Sequence, residues 1–446
     1  MPRPNLFSIH QRLFANAQVW VCGLSAIISF ILLIQLDLEP RHFADNYFIK
    51  AKLSLWDPTL YTTERPFGIY WFYKIAGYDP VWVVRLQNLL SALAWAFLGY
   101  VLAAPFRNQL LASAIILGTS LAALSWTFAG WHTAMLTESL VATTFALFCA
   151  AFLLFQRQPS WLRFFGLLAC AFFLGVLRDT LPFFLVAFSA LVWLLAWRDR
   201  EAPKLQRPFL RRFLVFSVLL LAFSSWSAQM GLRHVFSLNN VMFQRILPNP
   251  NYATWFEAQG MPLALLTDAP HPWEGQWASS YDMALYKDLR YIPYHQWSFF
   301  EGKGDLARFL VSHPVYVWQG VWHHRNDIFR ADLSNYTGPP PHRTIFRLVT
   351  WLWSAWSLGL LLPLALIYLY LAWNRKVSLT PLLIAIAAFI NAVLAYHADA
   401  MEVTRHCLFT RWALLIATWH ALLLVLNFAI GQWKQGVKVN DSSATT

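Results

Sequence analysis

"VWVVRLQNLLSALAWAFLGYVLA", residues 81–103, decides the class of fold. Arg85 is its only charged side chain, and its apolar residues follow one another without a period of two. An α-helix rises about 1.5 Å per residue, so a run of about 20 residues crosses a hydrocarbon core of about 30 Å. A strand of a lipid-facing barrel would alternate instead, so this run reads as a transmembrane helix. Comparable runs lie near residues 17–36, 109–127, 136–155, 161–177, 181–197, 213–232, 349–371, 378–396 and 407–428. About ten spans are therefore expected in an all-α integral membrane protein. The composition agrees: 58% of the 446 residues are hydrophobic and only 13% are charged. Soluble domains carry roughly 25% charged residues.

The first apolar run follows Arg3 and Arg12 and is not followed by a small-residue cleavage site, so it is expected to stay as an anchor. Assigning alternate loops to the cytoplasm, beginning with the N-terminus, gathers 15 of the 34 Lys and Arg on one side, among them Arg157, Arg163 and the block from Arg198 to Arg212. Only Asp199, Glu201 and Asp441 share that side, and the other 19 cations meet the other 19 acids. The whole net charge of +12 then falls on the inner side, the asymmetry expected of a cytoplasmic-membrane protein with both termini inside. Orientation explains the basic balance, and no nucleic-acid motif competes for it.

Three parts follow: a membrane module over 1–232, an exterior region over 233–348, and C-terminal membrane helices with a cytoplasmic tail over 349–446. The exterior region carries Trp255, Trp273, Trp297, Trp318 and Trp322, too aromatic for a disordered linker, and is expected to fold as a small, mostly helical domain on the membrane. All four cysteines fall in predicted spans, so no disulfide framework is expected outside.

The first exterior loop, about 37–80, contains "DNYFIKAKLSLWDPTLYTTERPFGIYW", residues 45–71. The spacing of Ala44, Tyr47, Phe48, Ala51 and Leu55 predicts one short helix, and a second is expected to start after Pro66 and run through Trp71 to Ile75. Two such interfacial helices would hold Asp45, Glu64 and Arg65 just outside the lipid. A solvated loop is the ordinary reading of those charges.

The order of motifs resembles that of the GT-C membrane glycosyltransferases. The residues are Asp45, Asn46 and Tyr47, then Glu64, Arg65, Pro66, Phe67, Gly68, Tyr70 and Trp71, then Arg85 entering the second span. "LTESL" at the head of the fourth span and "GVLRDTLPF" between the fifth and sixth extend it. The pattern is similar to that of the lipid A aminoarabinose transferases and, more distantly, the protein O-mannosyltransferases, over the first seven spans. Where many relatives have two adjacent acids, Asn46 follows Asp45, so the second acid's role is absent or moves to Glu64 or Asp57. The region after residue 233 does not resemble the soluble domains of the best-known relatives.

The resemblance implies a sugar carried on a polyprenyl phosphate and attacked by an acceptor hydroxyl of a glycan, lipid or protein. It implies Asp45 as general base, with Glu64 orienting substrate or sharing that role. The leaving phosphate needs positive charge more than a proton, which Arg65, Arg178 and Arg405 would supply. Tyr47, Tyr70, His132 and His397 are expected substrate contacts. No organic cofactor is expected, and no metal site is assigned: adjacent His323 and His324 would point about 100° apart on a helix.

Simpler readings stand beside these. Arg178 and Asp179 could form a local ion pair at a span junction. Glu138 would favour a helix N-terminus. Arg405 stands with His397, Asp399, Glu402 and His406, a group expensive to hold near lipid unless it lines a cavity. A polymerase or ligase of lipid-linked glycans would use similar arginine chemistry. A transporter or flippase would place charge at the bilayer midplane on broken spans.

Overall fold

The computed structural model describes residues 6–35, 52–63, 65–198, 206–267, 273–275, 284–329, 337–338, 342–354, 358–374, 376–400 and 403–443. Asp45, Tyr47 and Glu64, with most of the helix expected over 44–56, lie outside the described residues, as does Glu402. The second expected helix of the first loop is present as Gly68–Ile75.

Every regular element among the described residues is helical. Those that build the bundle are α1 Leu6–Ile34, α2 Gly68–Ile75, α3 Pro80–Ala103, α4 Gln109–Ser120, α5 Thr137–Arg157, α6 Trp161–Leu177, α7 Leu181–Arg198 and α8 Gln206–Met230. After them come α9 Arg233–Val241, α10 Pro250–Ala258, α11 Ile292–Phe300, α12 Gly302–Ser312 and α13 Pro314–His323. The chain ends with α14 Thr344–Ser354, α15 Leu358–Trp373, α16 Thr380–Ala398 and α17 Leu408–Ser443.

Local chemistry sets the starts. Asp79 caps α3, accepting from Val81 N at 2.8 Å, and Pro80 supplies a first-turn residue that needs no donor. Asn108 caps α4 through Leu111 N at 3.1 Å. Helix α4 then passes through a short 3-10 turn and bends by 44° at Ser125 into Trp126–His132.

The chain is an all-α, multi-pass membrane protein. Among the described residues seven helices are long and apolar enough to cross a bilayer, and eight if the bent α4 segment counts as one span. The span expected over 161–177 coincides with the shorter apolar helix Trp161–Leu177, whereas the one expected over 349–371 is matched only in part, by α14 and by the apolar Pro363–Trp373 of α15. Helix α5 is the centre of the bundle: its apolar window is 78% buried, against 28% for α1 at the rim. Phe145 and Phe148 of α5 pack edge-on against Phe184 and Phe188 of α7, and Phe145 also meets Phe409 of α17 at 4.9 Å between ring centres. Such van der Waals packing is what holds helices together where lipid is as apolar as leucine.

A second cluster of buried side chains spans Leu238 to Phe309 and includes Phe243, Phe256, Trp273, Tyr294 and Trp297, joined by Ala400. Two polar pairs are matched inside it: Tyr294 Oη donates to Asn239 Oδ1 at 2.8 Å and Trp297 Nε1 to Asp305 Oδ2 at 2.8 Å. The region between α8 and α14 thus has a core of its own, and its first helix, α9, lies against the end of α16.

Candidate functional site

The simpler reading of Arg178 and Asp179, a local ion pair between neighbours, does not hold. Arg178 ends α6 with φ −151° and ψ 140°, an extended backbone in which successive side chains face opposite ways. Arg178 turns towards Glu138, with Nη1 3.8 Å from Oε1. Asp179 turns away and takes a two-pronged grip from Arg233, Nε to Oδ2 at 2.8 Å and Nη2 to Oδ1 at 2.9 Å.

Glu138 is more than a helix-terminus charge. It does lie in the first turn of α5, as expected, but it is wholly buried. Arg405 Nε donates to its Oε1 at 2.7 Å, and Arg178 Nη1 donates to the Arg405 carbonyl at 3.2 Å. One carboxylate therefore joins three places far apart in sequence: the head of α5, the α6–α7 turn and the segment before α17. A buried carboxylate is tolerable only with such charge-assisted partners.

The approach to Glu138 is strained. Met135 is buried with φ +49°, a left-handed conformation that is uncommon for a residue bearing a Cβ. Its carbonyl accepts from Tyr73 Oη of α2, which helps hold the turn. Three residues earlier, His132 is fully buried, with Nδ1 2.6 Å from Ser139 Oγ.

Arg65 joins the same edge through a second set of ties. Arg233 Nη1 donates to the Thr63 carbonyl at 2.7 Å and reaches the Arg65 carbonyl at 3.4 Å, and Thr63 Oγ1 donates to the Arg65 carbonyl at 2.7 Å. Gly231 permits this approach, since a Cβ there would stand 2.1 Å from the Thr63 oxygen. Gly68 does the same for α2 against the end of α6, where a Cβ would meet the Val176 oxygen at 2.8 Å. The Arg65 side chain itself is exposed and makes no hydrogen bond or ion pair with a described residue.

His406, partly buried, sits among these cations. Burial, and then the guanidinium groups of Arg178, Arg405 and Arg65, hold its pKa well below the ordinary 6.5, so its ring is neutral at pH 7. Asp399 closes the edge towards α9: its carboxylate accepts from Ser237 Oγ and Asn240 Nδ2, each at 3.0 Å, with His406 Nε2 at 3.8 Å.

The structure thus brings Arg65, Arg178 and Arg405 to one edge of the bundle. Tyr70 is buried within α2. His397 is buried too, its Nε2 donating to the Val317 carbonyl at 3.1 Å and its ring against Tyr316, so it ties α16 to α13. Arg85 is exposed and stacks over Trp82 at 5.3 Å. Among the described residues no three His, Cys, Asp or Glu are grouped to hold a metal ion.

Sequence reasoning passed over Arg233 and undervalued Glu138. An acid at the head of a run otherwise free of charge for about 20 residues was the available signal for Glu138, because such a group needs a partner inside the bundle. Arg233 gave no comparable signal, since its partner Asp179 lies 54 positions away. Comparison with protein-family models, with curated proteins and with solved structures finds no match for this chain.

Proposed function

We propose that this chain is a membrane glycosyltransferase of the GT-C type, transferring a sugar from a polyprenyl-phosphate donor to an acceptor on the exterior face of the cytoplasmic membrane. The observation that carries the reading is that Arg178 and Arg405 converge on Glu138 while Arg233, bound to Asp179, holds the backbone of Arg65 at the same rim of an apolar bundle. A lipid carrier confines its headgroup to that depth, where guanidinium groups bind phosphate oxygens in pairs.

The step balances as an inverting displacement. The acceptor hydroxyl oxygen attacks the anomeric carbon, its proton passes to the Asp45 carboxylate, and the carbon–oxygen bond to phosphate breaks. The electron pair leaves on the phosphate, where positive charge stabilises it. In this scheme Glu138 fixes Arg178 and Arg405, while Arg65, which has no partner among the described residues, is the guanidinium offered to the donor.

The test is transfer of labelled sugar from a panel of polyprenyl-phosphate sugars by the purified protein. Asp45→Asn is expected to lower transfer by about 10² or more with the unfolding midpoint unchanged. Full activity in that variant would remove Asp45 as the base, and absence of turnover with every donor by folded protein would contradict the reading as a whole.

A second reading, a transporter or flippase of lipid-linked substrates, draws support from the 44° break at Ser125, since broken spans line substrate paths in transporters. Movement of a fluorescent lipid-linked substrate across vesicles, without sugar transfer, would favour it.

A further inference from the structure

A cavity of ≈ 180 Å³ lies at the end of the bundle opposite Glu138. Arg157, which lines it, ends the 21-residue α5 whose first turn holds Glu138, about 30 Å away along the helix. His420 and Asn427 of α17 line it, with Gln156 of α5 and Ser378 ahead of α16. The charge bias assigns this end to the cytoplasm.

Three features set this cavity apart from ordinary packing. His420 is buried at 7% exposure, yet its ring makes no hydrogen bond with a described residue. Arg157, an exposed side chain on the cavity wall, has neither a hydrogen bond nor an ion pair among the described residues, so its charge is open to a ligand there. The 19-residue α16 starts beside Ser378, whose Oγ already takes the Thr380 N–H at 3.2 Å, and Pro381 has no N–H, so what this helix start offers the cavity is chiefly the positive end of its dipole. A helix N-terminus, a guanidinium and an imidazole on one small cavity together favour an anion.

The remaining wall is apolar and includes Leu102, Phe106, Leu153 and Leu423. Free phosphate has no use for such a wall, whereas the glycerol and first methylenes of a phospholipid do. Lys376 stands over Phe428, next to Asn427, and adds a second cation near the cavity.

We propose that this cavity binds the phosphate diester of an anionic glycerophospholipid from the inner leaflet, held by Arg157 and His420, as a site separate from the Glu138 edge. The guanidinium donates to the phosphate oxygens, and the imidazole Nε–H or Nδ–H, freed of other partners, donates a further bond.

The test uses the full-length protein in neutral detergent, titrated with phosphatidylglycerol and, separately, with phosphatidylcholine and inorganic phosphate, reading the unfolding midpoint. Phosphatidylglycerol is expected to stabilise the wild type, while phosphatidylcholine and millimolar phosphate do not. Arg157→Gln should weaken the apparent affinity about tenfold, the loss of one charge-assisted hydrogen bond, and Arg157→Lys by less. His420→Asn serves as an independent variant and should shift the titration in the same direction. Arg212→Gln, at the same end but off the cavity, should titrate as wild type. The proposal is overturned if Arg157→Gln titrates as wild type, or if Arg212→Gln weakens binding equally, which would mean bulk surface charge alone. Stabilisation by inorganic phosphate equal to that by phosphatidylglycerol also overturns it, in favour of a free-anion site.

Discussion

The two ends of the bundle handle charge in opposite ways. At the Glu138 end, all but Arg65 of the ions described above are matched and drawn from distant parts of the chain: Glu138 with Arg178 and Arg405, Asp179 with Arg233, Asp399 with Ser237 and Asn240. At the Arg157 end, Arg157 lines a cavity without a carboxylate, and other cations rest on aromatic rings or backbone. Arg212 stacks over Trp161 at 4.9 Å, and Arg163 Nη1 reaches the Gln158 carbonyl at 3.0 Å. Charge at the second end can orient the chain in the membrane with little structural consequence. Charge at the first end is part of how the helices are assembled, so it is also where a site can be fixed in shape.

The largest expected effect is at Glu138. Glu138→Gln leaves two guanidinium groups without their carboxylate in a buried place and should cost about 3–5 kcal/mol of stability. Arg212→Gln at the other end should cost less than about 0.5 kcal/mol. Denaturation in detergent gives both numbers, and equal costs would break the comparison.

Next comes Arg233→Ala, which unties the Thr63–Arg65 segment and leaves Asp179 unmatched. A loss of about 2 kcal/mol is expected, less than for Glu138 because Asp179 is partly open to solvent. Protease sensitivity near Arg65 should rise in the same variant. Unchanged cleavage there would mean that Arg233 does not hold the segment.

The smallest effect is a pH dependence at His406. Folded, the ring stays neutral well below the usual range; unfolded, it takes a proton near pH 6.5. As pH falls through about 6.5 the unfolded chain binds the proton first, so the neutral ring's contribution is complete above that pH and is lost below it, by about 1 kcal/mol per pH unit. His406→Gln should reduce the slope of the stability profile between pH 7 and 5 by about 1 kcal/mol per pH unit. An unaltered slope would assign it to other histidines.

What the sequence made legible is what short-range physics dictates. Apolar runs near 81–103, 136–155 and 378–396 reappear as α3, α5 and α16, because about 20 uncharged residues admit one solution in lipid. The helix expected after Pro66 is present, beginning two residues beyond that proline at Gly68. The pairing of charges was not. Arg178 and Asp179 are neighbours in sequence, but the extended backbone at Arg178 sends them to different partners, 40 and 54 residues away. Arg405 meets Glu138 across 267 positions, a contact that exists only once the bundle is packed. The sequence therefore offered candidate cations, and the fold sorted them into Arg178 and Arg405, which are structural partners of Glu138, and Arg65, which is not.

That sorting makes Arg65 the most direct test. Thermal unfolding of the wild type and of Arg65→Ala should be measured with and without a polyprenyl-phosphate sugar. The account predicts equal midpoints without donor and a donor-induced rise in the wild type that is lost in the variant. A rise of the same size in Arg65→Ala would contradict it, because the donor phosphate would then be bound elsewhere.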